Sequence, residues 1–277
     1  IELALKEDLR DIGDLTSTHF VDEAHCSVGK VVSRESARIS GVEVAIEVCR
    51  QVDKELNIEV INNDGSAVKK GDSVIEIFGP TRSILTAERT ALNFMQRLSG
   101  VATVTRTFMD LIQHTRARLL DTRKTTPGFR ELEKEAVIHG GGTNHRMGLY
   151  DAVMVKDNHL AANLTPVDLA ERIGEVKRES PVLKIEVEAD RLDQVFEFLQ
   201  ISGIDVVLLD NMSNEQLREA VLKRDELNSS IQLEASGGVN LDTIAGIAET
   251  GVDYISVGAL THSVRSIDLG LDLVERS

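Results

Sequence analysis

The sequence predicts an α/β protein in two parts: a small α+β unit up to about Pro80, and an α/β barrel from about Arg118 onward. Three observations carry this. From Arg118 short apolar runs alternate with helical stretches, the pattern of parallel βα units. Nearly every such run ends in a polar or charged residue, whereas before Pro80 the runs are β-branched, alternating and separated by turns.

In order, Gly29–Ser33 and Ser73–Phe78 read as strands, Val42–Val52 as a helix, and Asn62–Gly65 and Lys69–Asp72 as turns. Leu85–Gly100 has an apolar helical face of Leu85, Leu92, Met95 and Leu98. Its polar stripe is Arg89, Asn93 and Gln96, and periodicity alone makes it an ordinary amphipathic helix. The barrel strands are predicted at Arg118–Asp121, Ala152–Lys156, Leu183–Glu188, Asp205–Asp210, Ile231–Ser236 and Tyr254–Val257. In such a barrel the carboxyl ends of all strands open on one mouth, so Lys156, Glu188, Asp210 and Ser236 should converge although far apart in sequence.

The densest chemistry lies between Asp121 and His159, in the clusters TRKTTPG, GGGTNHR and KDNH. A predicted helix, Phe129–His139, with apolar Leu132, Ala136 and Val137, separates the first two and closes on Gly140, Gly141 and Gly142. Arginine offers a planar fork and lysine a compact charge, so Arg123, Lys124, Arg146 and Lys156 suit a ligand bearing carboxylates and phosphates. The plain alternative is a solvated basic surface. It is weakened because these cations stand at strand ends and beside glycine-rich turns.

Gly237, Gly238 and Gly258 follow the last two strands, where backbone amides and a helix from about Asn240 would suit a phosphate. Glu188 and Asp210 could cap turns, or hold Mg²⁺ together with substrate oxygens.

Composition narrows the classes. There are 46 acidic against 31 basic residues, a formal charge of -15, so nucleic-acid and acidic-membrane binding are not expected and the cationic cluster is a local exception. The chain lacks Trp and is only 3% aromatic, which disfavours stacking as a binding mode. Cys26 and Cys49 have neither metal-ligand nor disulfide-scaffold spacing and read as reduced thiols. With no long apolar span and no signal-peptide pattern at the N-terminus, a soluble, cytoplasmic protein is expected.

Taken together, these residues resemble the quinolinate phosphoribosyltransferases, also called nicotinate-nucleotide pyrophosphorylases (carboxylating). Glu7, Asp8, Gly13, Asp14 and Thr16 match the family's opening and Leu85–Thr103 its LTAERT…LSG helix. TRKTTPG, GGGTNHR, KDNH, EVE, LLDN, EASGG and ISVGAL then follow in family order over almost the whole chain. The resemblance implies an N-terminal α/β sandwich over residues 1–100, with the tail 265–277 packing on it, and an incomplete α/β barrel of the type II phosphoribosyltransferase kind over 101–264. It also implies a homodimer that joins quinolinate to 5-phosphoribosyl 1-diphosphate with decarboxylation, with magnesium on the diphosphate, in NAD biosynthesis.

Carried over, Arg123, His145 and Arg146 would hold the quinolinate carboxylates, with Arg89 from the neighbouring subunit. Lys124 and Lys156 would lie between the substrates. Glu188 and Asp210 would take the ribose hydroxyls and the metal side, and Ser236, Gly237 and Gly258 a phosphate. Two alternatives stand beside this: a relative on the same fold acting on another pyridine or pyrimidine acid, including a branch associated with molybdenum transport, and a phosphometabolite sensor without turnover. The sensor would require Lys156, Glu188 or Asp210 to be replaced, and all are present.

Overall fold

The computed structural model describes residues 1–156, 159, 165–227 and 229–274, and it is an α/β protein. Its described residues divide into two compact units, the first from 1–106, 132–141 and 264–274 and the second from within 107–131 and 142–263.

The first unit is built on a four-stranded antiparallel sheet in the order β12 (Leu269–Val274), β1 (Cys26–Ser33), β5 (Ser73–Pro80), β3 (Asn57–Val60), with the short strands β2 (Ala37–Arg38) and β4 (Ala67–Val68) paired apart from it. Alternate residues of β1 are buried, as expected of a strand with one face on a core. The C-terminal β12 pairs with β1 from Val28↔Val274 to Ser33↔Leu269, so the last segment of the chain completes the first sheet. The helix Val42–Val52 buries Val42, Ala45, Ile46, Val48 and Cys49 at helical spacing.

The long helix Thr81–Ile112 runs well beyond the predicted Leu85–Gly100. Gly100 does not end it, because a side chain there would strike the Arg265 carbonyl, and the glycine is a packing residue inside the helix. Two short helices, Glu2–Leu9 and Leu15–Phe20, had no legible period. The second is capped by Asp14, whose Oδ1 accepts from the Ser17 amide at 2.9 Å, while the first buries no side chain.

The second unit carries a six-stranded parallel sheet. Its order is β6 (Arg118–Leu120), β11 (Tyr254–Ser256), β10 (Gln232–Ser236), β9 (Val206–Asp210), β8 (Lys184–Ala189), β7 (Ala152–Val155). These are consecutive strands with the first moved beside the last, which is the neighbour order of a barrel left open between β6 and β7. At that seam Thr143 forms an isolated parallel bridge to Leu120.

Burial on both faces explains why β9 reads as a continuous apolar run, whereas β8 alternates Ile185 and Val187 with buried Glu186 and Glu188. The outer helices start on strong signals, with capping boxes at Thr165/Asp168 and Ser213/Gln216. The helix expected from Asn240 begins only at Ile244 and is five residues long. The Asn240 side chain accepts from the Asp242 and Thr243 amides at 2.9 and 3.1 Å, making a turn that delays the helix. Among the described residues no helix is long and apolar enough to cross a membrane.

Candidate active site

Parallel strands align their carboxyl ends, and the register fixes which side chains share a level. Glu188 and Glu234 both pair with Leu208, and one step toward the mouth Asp210 pairs with Ser236. A cavity of about 630 Å³ opens there. Its lining includes Arg123, Lys124, His145, Arg146, Lys156, Glu188, Asp210, Ser236 and Gly237. The strand tips and the loops beside them thus bring together residues from six separate stretches of chain.

Gly258 is not on that lining. It precedes the short helix Ala259–His262, and a Cβ there would stand 3.0 Å from Lys124 Cδ, so it makes room for the lysine. Arg89 belongs to the first unit, on the helix Thr81–Ile112, with its side chain 60% exposed and Glu88 at 3.8 Å. Asp157 and Asn158 of the KDNH cluster lie outside the described residues.

The cations are held by different means. Thr143 extends the edge of β6, its amide donating to Leu119 O at 2.8 Å, and the following His145 amide donates to the buried Asp121 Oδ1 at 2.8 Å. Those bonds deliver Arg146, whose Nη1 donates to Ala152 O at 3.1 Å, while its Nε is buried without a partner among the described residues. Burial and the nearby charge of Arg123 lower the Arg146 pKa, against the pull of Glu186 and Asp151. Lys156 Nζ donates to Glu188 Oε2 at 3.1 Å, and Asn211 Nδ2 donates to Asp210 Oδ2 at 2.7 Å. Lys124 is anchored through its backbone, which donates to Thr122 Oγ1 and accepts from Thr261 Oγ1.

Beneath this layer lie two carboxylates that sequence reasoning left unassigned, Glu186 and Glu234. His145 Nε2 is 3.1 Å from Glu186 Oε2 and 3.5 Å from Glu234 Oε2. The signal was present in the strand period: Glu186 shares a face with Glu188, and Glu234 with Ser236. The three side chains each offer a ligand atom within 4.8 Å of the others, a spacing that a metal ion could occupy.

As folded, hydrogen bonds fill that space. His145 Nδ1 accepts from the Arg146 amide at 2.7 Å, which places the ring proton on Nε2, facing the carboxylates. Burial opposes charge on His145, and Glu186 and Glu234 override it and raise its pKa. An imidazolium would turn a second proton onto the Arg146 amide, so the hydrogen bond decides for a neutral ring. Burial and the Glu234 charge in turn raise the pKa of Glu186. Both ring nitrogens are therefore engaged, and a direct hold of His145 on a substrate carboxylate needs one bond to be exchanged.

Models of two domains match the chain: the N-terminal domain of quinolinate phosphoribosyl transferase over residues 14–99, and its C-terminal domain over residues 101–272. A nicotinate-nucleotide pyrophosphorylase (carboxylating) of Mycobacterium leprae is 43% identical over 275 residues, covering 99% of this chain and 95% of that protein. A chloroplastic relative from Oryza sativa subsp. japonica is 38% identical over 99% of this chain and 76% of its own length. The solved nicotinate-nucleotide pyrophosphorylase of Francisella tularensis superposes with a TM-score of 0.90 at 39% identity, over 99% of this chain and 94% of that one.

Proposed function

This chain belongs to the quinolinate phosphoribosyltransferase family, and on that premise we propose that it transfers the phosphoribosyl group of 5-phosphoribosyl 1-diphosphate to quinolinate with decarboxylation. The products are nicotinate mononucleotide, pyrophosphate and carbon dioxide, a step of NAD biosynthesis. One observation carries the reading: Arg123 and Arg146 line one cavity closely enough for the charge of one to depress the pKa of the other, with the Arg146 Nε left unpaired among the described residues. Two forced neighbours of like charge suit a ligand with two adjacent carboxylates.

Arg123 and Arg146 hold those carboxylates, with His145 on the wall behind them. The clamp aims the pyridine nitrogen at ribose C1. Such orientation can be worth roughly 7–11 kcal/mol by turning an encounter into an intramolecular step. Lys124 and Lys156 stand between the two substrates, and Lys156 stabilises negative charge on the departing diphosphate. Glu188 and Asp210 bind the ribose hydroxyls and offset positive charge developing at C1.

Ser236 and the Gly237 amide take the 5-phosphate, and Gly258 leaves space for Lys124. After attack the ring nitrogen is cationic and accepts the electron pair released as the adjacent carboxylate leaves as carbon dioxide. No protein nucleophile is required.

The donor set fits magnesium. Glu188 and Asp210 are hard-oxygen ligands at adjacent strand ends, each with one oxygen engaged by a neighbour and a second left to give. They would hold Mg²⁺, which would supply counter-charge to the diphosphate.

The reading extends to a cytoplasmic homodimer in which Arg89 completes the partner's site. The exposed side chains of Leu3, Ile12, Leu15 and Phe20 support an apolar surface for a second copy, and the acidic charge and two free cysteines fit the compartment.

The test is release of labelled carbon dioxide from quinolinate in the presence of phosphoribosyl diphosphate and Mg²⁺. Turnover of quinolinate but not of nicotinate is expected. Folded protein that releases none, or that consumes nicotinate equally, rejects the assignment.

A further inference from the structure

We infer that Arg130 is a positioning residue that ties the two arms of the dicarboxylate clamp together. The inference rests on the quinolinate reading. Arg130 opens the helix Arg130–His139 and is half-buried. Its Nε donates to Thr125 Oγ1 at 3.1 Å, its Nη2 to Arg123 O at 3.4 Å, and its Nη1 to Met147 O at 3.1 Å. One guanidinium therefore grips the TRKTTPG loop at two points and, on its other branch, the residue that follows Arg146.

Three features distinguish this from incidental surface bonding. Its partners among the described residues are all neutral oxygens, so no ion pair accounts for the arginine. It also stands at the first position of a ten-residue helix, where the macrodipole disfavours a cation. Finally, each segment it grips is braced internally, by bonds that do not reach the other segment. The Thr125 amide donates to Arg123 O at 2.9 Å, and the Met147 and Gly148 amides donate to Asp151 at 2.7 and 2.8 Å. Met147 is thus held from its amide side by Asp151 and from its carbonyl side by Arg130.

The physical need is plain: Arg123 and Arg146 repel, and a loop bearing one of them would drift outward unless tied to the segment bearing the other. Arg130 uses three separate nitrogens of one rigid plane, a spread that the single nitrogen of a lysine does not reproduce. The separation of the clamp arms then sets selectivity for two adjacent carboxylates over one.

The test is steady-state kinetics of Arg130→Lys and Arg130→Ala beside wild type. The expected result is a rise in KM for quinolinate on the order of tenfold or more, with KM for phosphoribosyl diphosphate and the thermal midpoint little changed. Guanidinium or methylguanidinium added to Arg130→Ala should restore quinolinate binding, a rescue that a merely structural role would not give. Should Arg130→Ala fail to fold, Thr125→Val removes one arm only and must shift the quinolinate KM in the same direction. Unchanged kinetics, an equal rise in both KM values, or a loss of activity that follows the thermal midpoint overturns the inference. Wild type that does not consume quinolinate fails the functional reading itself, and is distinguished by that control.

Discussion

Gly237 and Gly238 are adjacent and both left-handed, at φ +90° and +63°, yet alanine should behave very differently at the two. At Gly238 a Cβ meets nothing within 4 Å, so the cost is backbone strain alone, about 1–2 kcal/mol. At Gly237 the same atom would lie 2.5 Å from Asn211 Cγ and 3.0 Å from the Asn211 backbone nitrogen. Asn211 is itself left-handed at φ +53°, donates its amide to Ser236 O at 2.9 Å and its Nδ2 to Asp210 Oδ2 at 2.7 Å. It cannot retreat without loosening one of those bonds, which adds about 1–2 kcal/mol and shifts Asp210. Gly237→Ala should therefore destabilise by about 2–4 kcal/mol, against about 1–2 for Gly238→Ala. Urea unfolding of both variants reads the difference, and the kinetic constants read the consequence: the KM for phosphoribosyl diphosphate should rise more in the first. Equal unfolding midpoints and equal KM values would refute the claim that Gly237 positions Asp210 through Asn211.

Two further predictions follow from other parts of the chain. If Arg89 serves the partner's site, Arg89→Ala and Lys156→Ala proteins, each inactive alone, should on mixing and subunit exchange recover about a quarter of wild-type activity, because half the dimers are mixed and each has one complete site; proven exchange without recovery would remove Arg89 from that role. In the first unit, hydrogen bonds from Arg265 and from the Asp268 amide hold Glu35 at a pKa of about 2, below its ordinary 4.5. Its stabilisation, about 1 kcal/mol for a partly exposed pair, is complete above pH 4.5 and lost as pH falls toward 2. The gap in urea midpoint between wild type and Glu35→Gln should be present at pH 7 and shrink by pH 3, and a gap independent of pH would contradict the assignment.

The central parallel strands were legible because they are buried on both faces and break abruptly to a polar tip: the runs at 183–188 and 205–210 fall on β8 and β9 within a residue or two. Strand polarity then did the rest, since parallel tips must share a mouth whatever their spacing in sequence. Glu186 and Glu234 were not legible as site residues, because a carboxylate in mid-strand has no distinguishing neighbour until the sheet curls and puts His145 over it. The helix Thr81–Ile112 was cut short for a related reason: Gly100 is a stop signal in sequence and a close-packing residue in space, and only the approach of Arg265 separates the two. Asn240 misled in the opposite direction. Its side chain resembles a helix cap but closes a turn of its own first.

An acidic chain of net charge -15 does not attract an anion by its overall field, so recognition must come from local geometry. The buried carboxylates solve one half of that problem. Glu186 supplies negative potential behind Arg146, which offsets part of the cost of burying it near Arg123 without neutralising it, because the Glu186 carboxylate is engaged by His145 and not by the guanidinium. The bonds to the neutral carbonyls of Ala152 and Met147, the latter made by Arg130, solve the other half, since they fix direction without pairing off the charge of Arg146. A clamp closed by salt bridges would have to break them when substrate arrives. Held instead through the Ala152 carbonyl and the His145 imidazole, Arg146 keeps its charge available for the ligand, and preorganisation of this kind is where rate and selectivity both originate.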